Sequence, residues 1–236
     1  MPQITLDTLV SEIVAELPQT TDLFRHKRID YYCDGKASLK EAATKRGGYD
    51  PEKILFEIKD VETRKKNYHG LKPKAFDTIT LINYIQMKHH RYLKEELVGL
   101  SSIVKKVAMV HGEKQTELRK VKQLFDRLRI ELLNMMNKED QYIFPILETY
   151  QTEPSEKLRK KVDAYLFELE SKHDLTGGLL HELREITNDF QPPTDACNTF
   201  QLVYKRLNEL EKDTCDHIHI ENHVLFKKVR QSGDLL

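Results

Sequence analysis

Apolar residues recur every three or four positions through most of the chain, the spacing of one face of an α-helix. Four long segments carry this pattern, at roughly 76–100, 113–148, 155–190 and 195–230. Gly112 precedes the second segment and Pro145 lies near its end. Pro154 begins the third, and Pro192-Pro193 follow it. Long amphipathic helices joined by short loops predict an all-α chain with an antiparallel four-helix bundle at residues 76–236. Residues 1–66 read instead as a small domain of short helices. One runs from Leu6 to Leu17 and stops at Pro18, and another covers residues 20–28. Ser38-Leu39-Lys40-Glu41 is a capping box, and Asp50-Pro51 is an N-cap followed by a first-turn proline. Residues 67–75, in a basic polar stretch, read as a linker.

Polar residues interrupt the apolar stripes at a few places. In the second helix the line through Leu128, Leu132 and Met135 continues to Glu139 and Tyr142. In the third, Leu166, Leu169, His173, Thr176 and Leu180 share a face. In the fourth, Leu207, Leu210, Thr214, His217, Glu221 and Val224 do so, and His217 and Glu221, four apart, project the same way. The first helix allows two lines, one through Ile79, Asn83, Gln86, His90 and Leu93 and one through Ile82, Ile85 and His89. A carboxylate in an apolar interior must be protonated, paired or metal-bound. Carboxylates and neutral imidazoles on facing helices suit iron or manganese, with zinc also acceptable. His181, His219 and His223 lie off these lines and read as surface or supporting residues, and His111 as a helix-end residue.

Composition narrows the alternatives. Thirty-eight basic residues balance 38 acidic ones, which is not the basic excess of a nucleic-acid binder. No apolar run approaches the ~20 residues that span a bilayer, and the N-terminus has no secretory pattern. Cys33, Cys197 and Cys215 are widely spaced and form neither a disulfide framework nor a zinc motif. These features predict a cytoplasmic protein. Cys197 and Cys215 are expected to be packing residues.

Several motifs, in order, carry a resemblance over nearly the whole chain. They are Ile29-Asp30-Tyr31-Tyr32-Cys33-Asp34-Gly35 followed by Ser38-Leu39, Lys138-Glu139-Asp140 with Phe144-Pro145, Lys172-His173-Asp174, Pro192-Pro193 with Ala196-Cys197, and residues 216–226, DHIHIENHVLF. The chain resembles the di-iron proteins of iron–sulfur cluster repair, the repair-of-iron-centres family with a haemerythrin-like domain. The resemblance implies a non-haem di-iron centre, with His90, Glu139, His173, His217 and Glu221 as ligands, and it selects His90 over His89. The family's sixth ligand position is Met135 here, so the centre is expected to be incomplete, with His111 a candidate to compensate. Tyr32 stands where the family has the first of two cysteines, leaving Cys33 as the one thiol expected to act on an acceptor. The implied function is repair of clusters damaged by oxidative or nitrosative stress, by iron donation, with iron–sulfur proteins as partners. A homodimer is compatible with it. Oxygen or nitric oxide binding, or a degenerate bundle acting through protein interaction, are the alternatives.

Overall fold

The computed structural model describes residues 3–64 and 72–233. The expected linker, residues 67–75, lies outside the described residues as far as 71. In chain order the helices are α1 (Val10–Glu16), α2 (Thr21–His26), α3 (Leu39–Gly47), α4 (Pro51–Arg64), α5 (Thr78–Ile85), α6 (Arg91–His111), α7 (Glu117–Lys138), α8 (Phe144–Thr152), α9 (Glu156–Ile186), α10 (Asn198–His219) and α11 (Phe226–Gly233). Three wider, π-helical turns join α5 to α6 (Gln86–His90), α7 to α8 (Glu139–Ile143) and α10 to α11 (Ile220–Leu225). Residues 78–111, 117–152 and 198–233 are therefore continuous helical rods. Among the described residues there is no strand, only an isolated antiparallel bridge between Leu9 and Ser38.

By contacts the chain groups into two compact units, residues 1–82 with 216–235, and residues 83–215. Both boundaries fall inside helices, α5 and α10. In the first unit, Val10, Ile13, Phe24, Leu39, Ile54 and Ile58 form a buried core, and α1 packs against the Ile220–Leu225 turn. Helix α1 begins at Val10 rather than Leu6. The residues before it are committed elsewhere: Leu39 donates to Thr8 O (2.9 Å) and Lys40 to Leu6 O (3.0 Å). The capping box is present in full, with Ser38 Oγ accepting from Glu41 N and Glu41 Oε2 accepting from Ser38 N. Such a cap stabilises by about 1 kcal/mol. Asp50 caps α4 by accepting from Glu52 N (3.0 Å).

In the second unit neighbouring rods run antiparallel, as the cross-helix pairs show. Lys120–Glu182, Glu131–Lys172 and Lys138–Glu168 pair α7 with α9 in descending order. His89–Asp213 and Glu96–Arg206 pair the first rod with α10 in the same way.

Three expectations about helix ends and stripes are corrected. The first rod runs to His111 instead of ending near residue 100, because Leu93, Leu97, Leu100, Val104 and Val107 sustain its buried stripe. The second passes through Pro145 to Thr152, because the π turn before it places proline at a new first turn, where its missing N–H costs little. The third stops at Ile186, well before the two prolines. Asn188, Asp189 and Phe190 adopt left-handed φ of 49°, 59° and 57°. Each such residue costs roughly 1–2 kcal/mol. Arg184 holds the turn: its guanidinium bonds Asp189 (3.0 Å) and Glu211 and lies 5.1 Å from the Phe190 ring centre.

Candidate metal centre

The π turns coincide with the polar interruptions of the stripes. In each, the backbone bond spans five residues instead of four: Arg91 N to Gln86 O, Phe144 N to Glu139 O, and Phe226 N to Glu221 O. One extra residue per turn slips the buried stripe by one position. The first rod buries Ile82 and Ile85 before its turn, His89 and His90 within it, and Leu93 and Leu97 after it. Both histidines are thus inside, and the two lines read from sequence are halves of one face. Ile79 is exposed, and so is Asn83. Tyr142, expected on the inner stripe, is 59% exposed, and Ile143 takes its place.

Glu139, His173, His217 and Glu221 are fully buried and His90 is nearly so. Glu139 Oε2 faces His90 Nε2 at 3.4 Å, and its Oε1 lies 4.0 Å from His173 Nε2. His217 Nε2 lies 3.2 Å from Glu221 Oε1. Ligand atoms of His90, Glu139, His217 and Glu221 all fall within 4.8 Å of one another. Two ligands on opposite sides of one ion lie about 4.4 Å apart at bond lengths of ~2.2 Å, so these four need only a small contraction to share a cation. Two fully buried carboxylates among imidazoles form a donor set that fits a divalent hard-to-borderline cation.

Asp140 supplies what the stripes did not reveal. Its Oδ1 accepts from His90 Nδ1–H (2.8 Å) and Gln86 Nε2 (3.0 Å), and its Oδ2 accepts from Lys94 Nζ (2.6 Å). A carboxylate only accepts, so this bond fixes the His90 tautomer and turns the acceptor Nε2 toward Glu139. Burial opposes the Asp140 charge, but these donors outweigh it and hold its carboxyl below the usual range. A sequence signal existed: Gln86, His90 and Lys94 are four apart and share a helix face. An Asp140→Asn variant is expected to lose about 10–100-fold in metal affinity, measured by competition with a chelator, with little change in helical content.

The remaining candidates lie elsewhere. Met135 is buried one turn before Glu139. His111 is at the C-terminus of α6, roughly 30 Å along the rod from His90. Its Nε2 lies 3.3 Å from Cys197 Sγ, so it does not compensate for Met135. Cys197 is exposed, contrary to its expected packing role, because it precedes α10 at the end of a loop; Cys215 is buried. His181, one-third exposed, pairs with Glu185. His219 is buried, and burial together with nearby His223 pushes its pKa down to about 3. Its Nδ1–H donates to Tyr31 O (3.1 Å). Cys33 is half-buried in the loop after Ile29, its N–H bonded to Asp30 Oδ1 (2.9 Å).

Residues 81–229 match the Hemerythrin HHE cation binding domain, and residues 6–62 match ScdA_N, described as a domain of unknown function (DUF542). The iron–sulfur cluster repair protein ScdA of Staphylococcus haemolyticus is 38% identical over 225 residues, 95% of this chain and 99% of its own. This chain belongs to the haemerythrin-domain family of iron–sulfur cluster repair proteins. ScdA of Staphylococcus epidermidis is 35% identical over 96% of this chain and 99% of its own. A more distant member, YtfE of Yersinia pseudotuberculosis, is 30% identical over 90% of this chain and 91% of its own. The cation-binding match contains every buried His and Glu of the cluster, and the second match contains the Cys33 loop.

Proposed function

We propose that this protein takes part in the repair of damaged iron–sulfur clusters and carries iron between Glu139 and Glu221, with His90, His173 and His217 as further ligands. The reading is carried by the buried His90–Glu139–His217–Glu221 cluster in a chain that aligns end to end with repair proteins. These five side chains would hold the iron, and Met135 would leave the set one nitrogen short of the family's six ligands. Bound iron supplies ligand exchange and one-electron redox chemistry. The protein's residues do the rest. Asp140 orients His90, the apolar stripes on either side exclude water, and Glu139 and Glu221 offer the negative charge that retains the cation. The protein would release iron to a damaged cluster, and the half-buried Cys33 thiol would be offered to the acceptor. The partners are iron–sulfur enzymes of the cytoplasm. No described helix is long and apolar enough to cross a membrane.

Incubating the iron-loaded protein with a dehydratase whose cluster has been damaged by peroxide tests this. Enzyme activity is expected to recover as iron leaves the protein, with no recovery from a Glu139→Ala, Glu221→Ala double variant. A spectral response to nitric oxide without reactivation would point to gas sensing instead.

A further inference from the structure

The loop that follows Ile29 grips the helix segment that carries His217 and Glu221. Asp30 Oδ1 accepts from the N–H groups of Tyr32 (3.0 Å) and Cys33 (2.9 Å), which turns the chain. Two successive carbonyls then meet residues of the 216–223 stretch. Tyr31 O accepts from His219 Nδ1–H (3.1 Å), and Tyr32 O accepts from Asn222 Nδ2 and His223 Nε2–H (3.0 Å each). The Tyr31 side chain, itself fully buried, donates from its hydroxyl to Asp216 Oδ1 (2.8 Å). Gly35 permits the close approach. A Cβ there would lie 2.7 Å from Ser11 Cβ and Tyr31 O and 2.8 Å from His223 Nε2.

The gripped residues, Asp216, His219, Asn222 and His223, alternate along the helix with His217 and Glu221. In the same stretch the helix leaves α geometry for the π turn Ile220–Leu225. A π turn has poorer intrinsic geometry than an α turn and persists where surrounding contacts hold it. Four hydrogen bonds from one loop are such contacts. The Tyr31 ring also packs 5.8 Å from the His219 ring, which closes the gap between loop and helix.

We propose that the loop at residues 30–35 is a lock on the π-helical register of residues 220–225, with Tyr31 and Gly35 as positioning residues that aim His217 and Glu221 at the iron. Loosening the lock speeds iron release. The first half of this statement concerns the backbone alone; the second rests on the reading of His217 and Glu221 as ligands.

Three variants of the full chain test it. Tyr31→Phe removes the bond to Asp216 without changing shape. Gly35→Ala drives a methyl against Tyr31 O and His223. Ile58→Val trims the buried core of the same unit at a residue that makes none of the loop's hydrogen bonds and serves as the control. Amide hydrogen exchange of the metal-free proteins is expected to quicken at residues 220–225 in the first two and not in the control. Iron release to a ferrous chelator is expected to be about tenfold faster in Gly35→Ala, the effect of losing a contact that orients a ligand, and severalfold faster in Tyr31→Phe. The visible bands of the cobalt(II)-loaded proteins should shift in both. Unchanged exchange in Tyr31→Phe and Gly35→Ala would overturn the lock, and Tyr31→Phe alone decides if Gly35→Ala fails to fold. Altered exchange in a protein whose wild type takes up neither iron nor cobalt would leave the register lock standing and overturn its role in iron release.

Discussion

Chelation of iron from the protein is expected to lower its melting temperature by roughly 8–16 °C. A ligand present at about 1,000 times its Kd stabilises the folded state by about 4 kcal/mol. For a chain of this length each kcal/mol corresponds to roughly 2–4 °C. The physical origin is the buried charge. Glu139 and Glu221 are 0% exposed, and the side chains facing them are imidazoles. A fully buried carboxylate is costly unless its charge is compensated, and a bound cation compensates both. Calorimetry before and after exhaustive chelation, then after restoring ferrous iron, measures the difference. A melting temperature that chelation does not move would favour a polar network with no metal role, the protein-interaction reading.

A Met135→His variant is expected to bind one more iron per chain than the wild type. Met135 is 5% exposed and lies four residues before Glu139, on the same face of the rod. A thioether is a soft, weak donor for iron, whereas an imidazole at that place is a good one. The substitution nearly conserves volume, so the bundle should accept it. Elemental analysis of both proteins, loaded without oxygen, gives the count. An unchanged count would mean that the number of irons is limited by something other than this donor, and it would remove Met135 as the reason for a labile second site.

The helical fold and much of the centre were legible in the sequence for one reason. Spacing of three and four residues converts directly into a helix face, and a His or Glu on an apolar face is conspicuous. On α9, which has no π turn, the stripe through Leu166, Leu169, His173, Thr176 and Leu180 is buried as read. Where the helix widens, the same arithmetic slips. It placed Tyr142 inside and left His89 and His90 as rivals, although both are buried. Nothing in residue type announces a π turn, because the extra residue is stabilised by what packs around it. The contact between Asp140 and His90 and the grip of Tyr31 and Tyr32 on residues 216–223 join positions 50 to about 190 apart in the chain. Periodicity reports only neighbours on one helix.

The sequence by itself therefore determined that the protein is helical, which stripes carry imidazoles and carboxylates, and that Met135 stands where a nitrogen ligand is expected. The first two are properties of local spacing; the third is what the resemblance to the family implies. Only the tertiary structure decided that π turns bury both His89 and His90 and turn Tyr142 outward, that Asp140 accepts from His90 Nδ1–H, and that the Cys33 loop bonds residues of the 216–223 stretch. Each of these depends on packing and hydrogen bonds that the spacing of residues along one helix does not report.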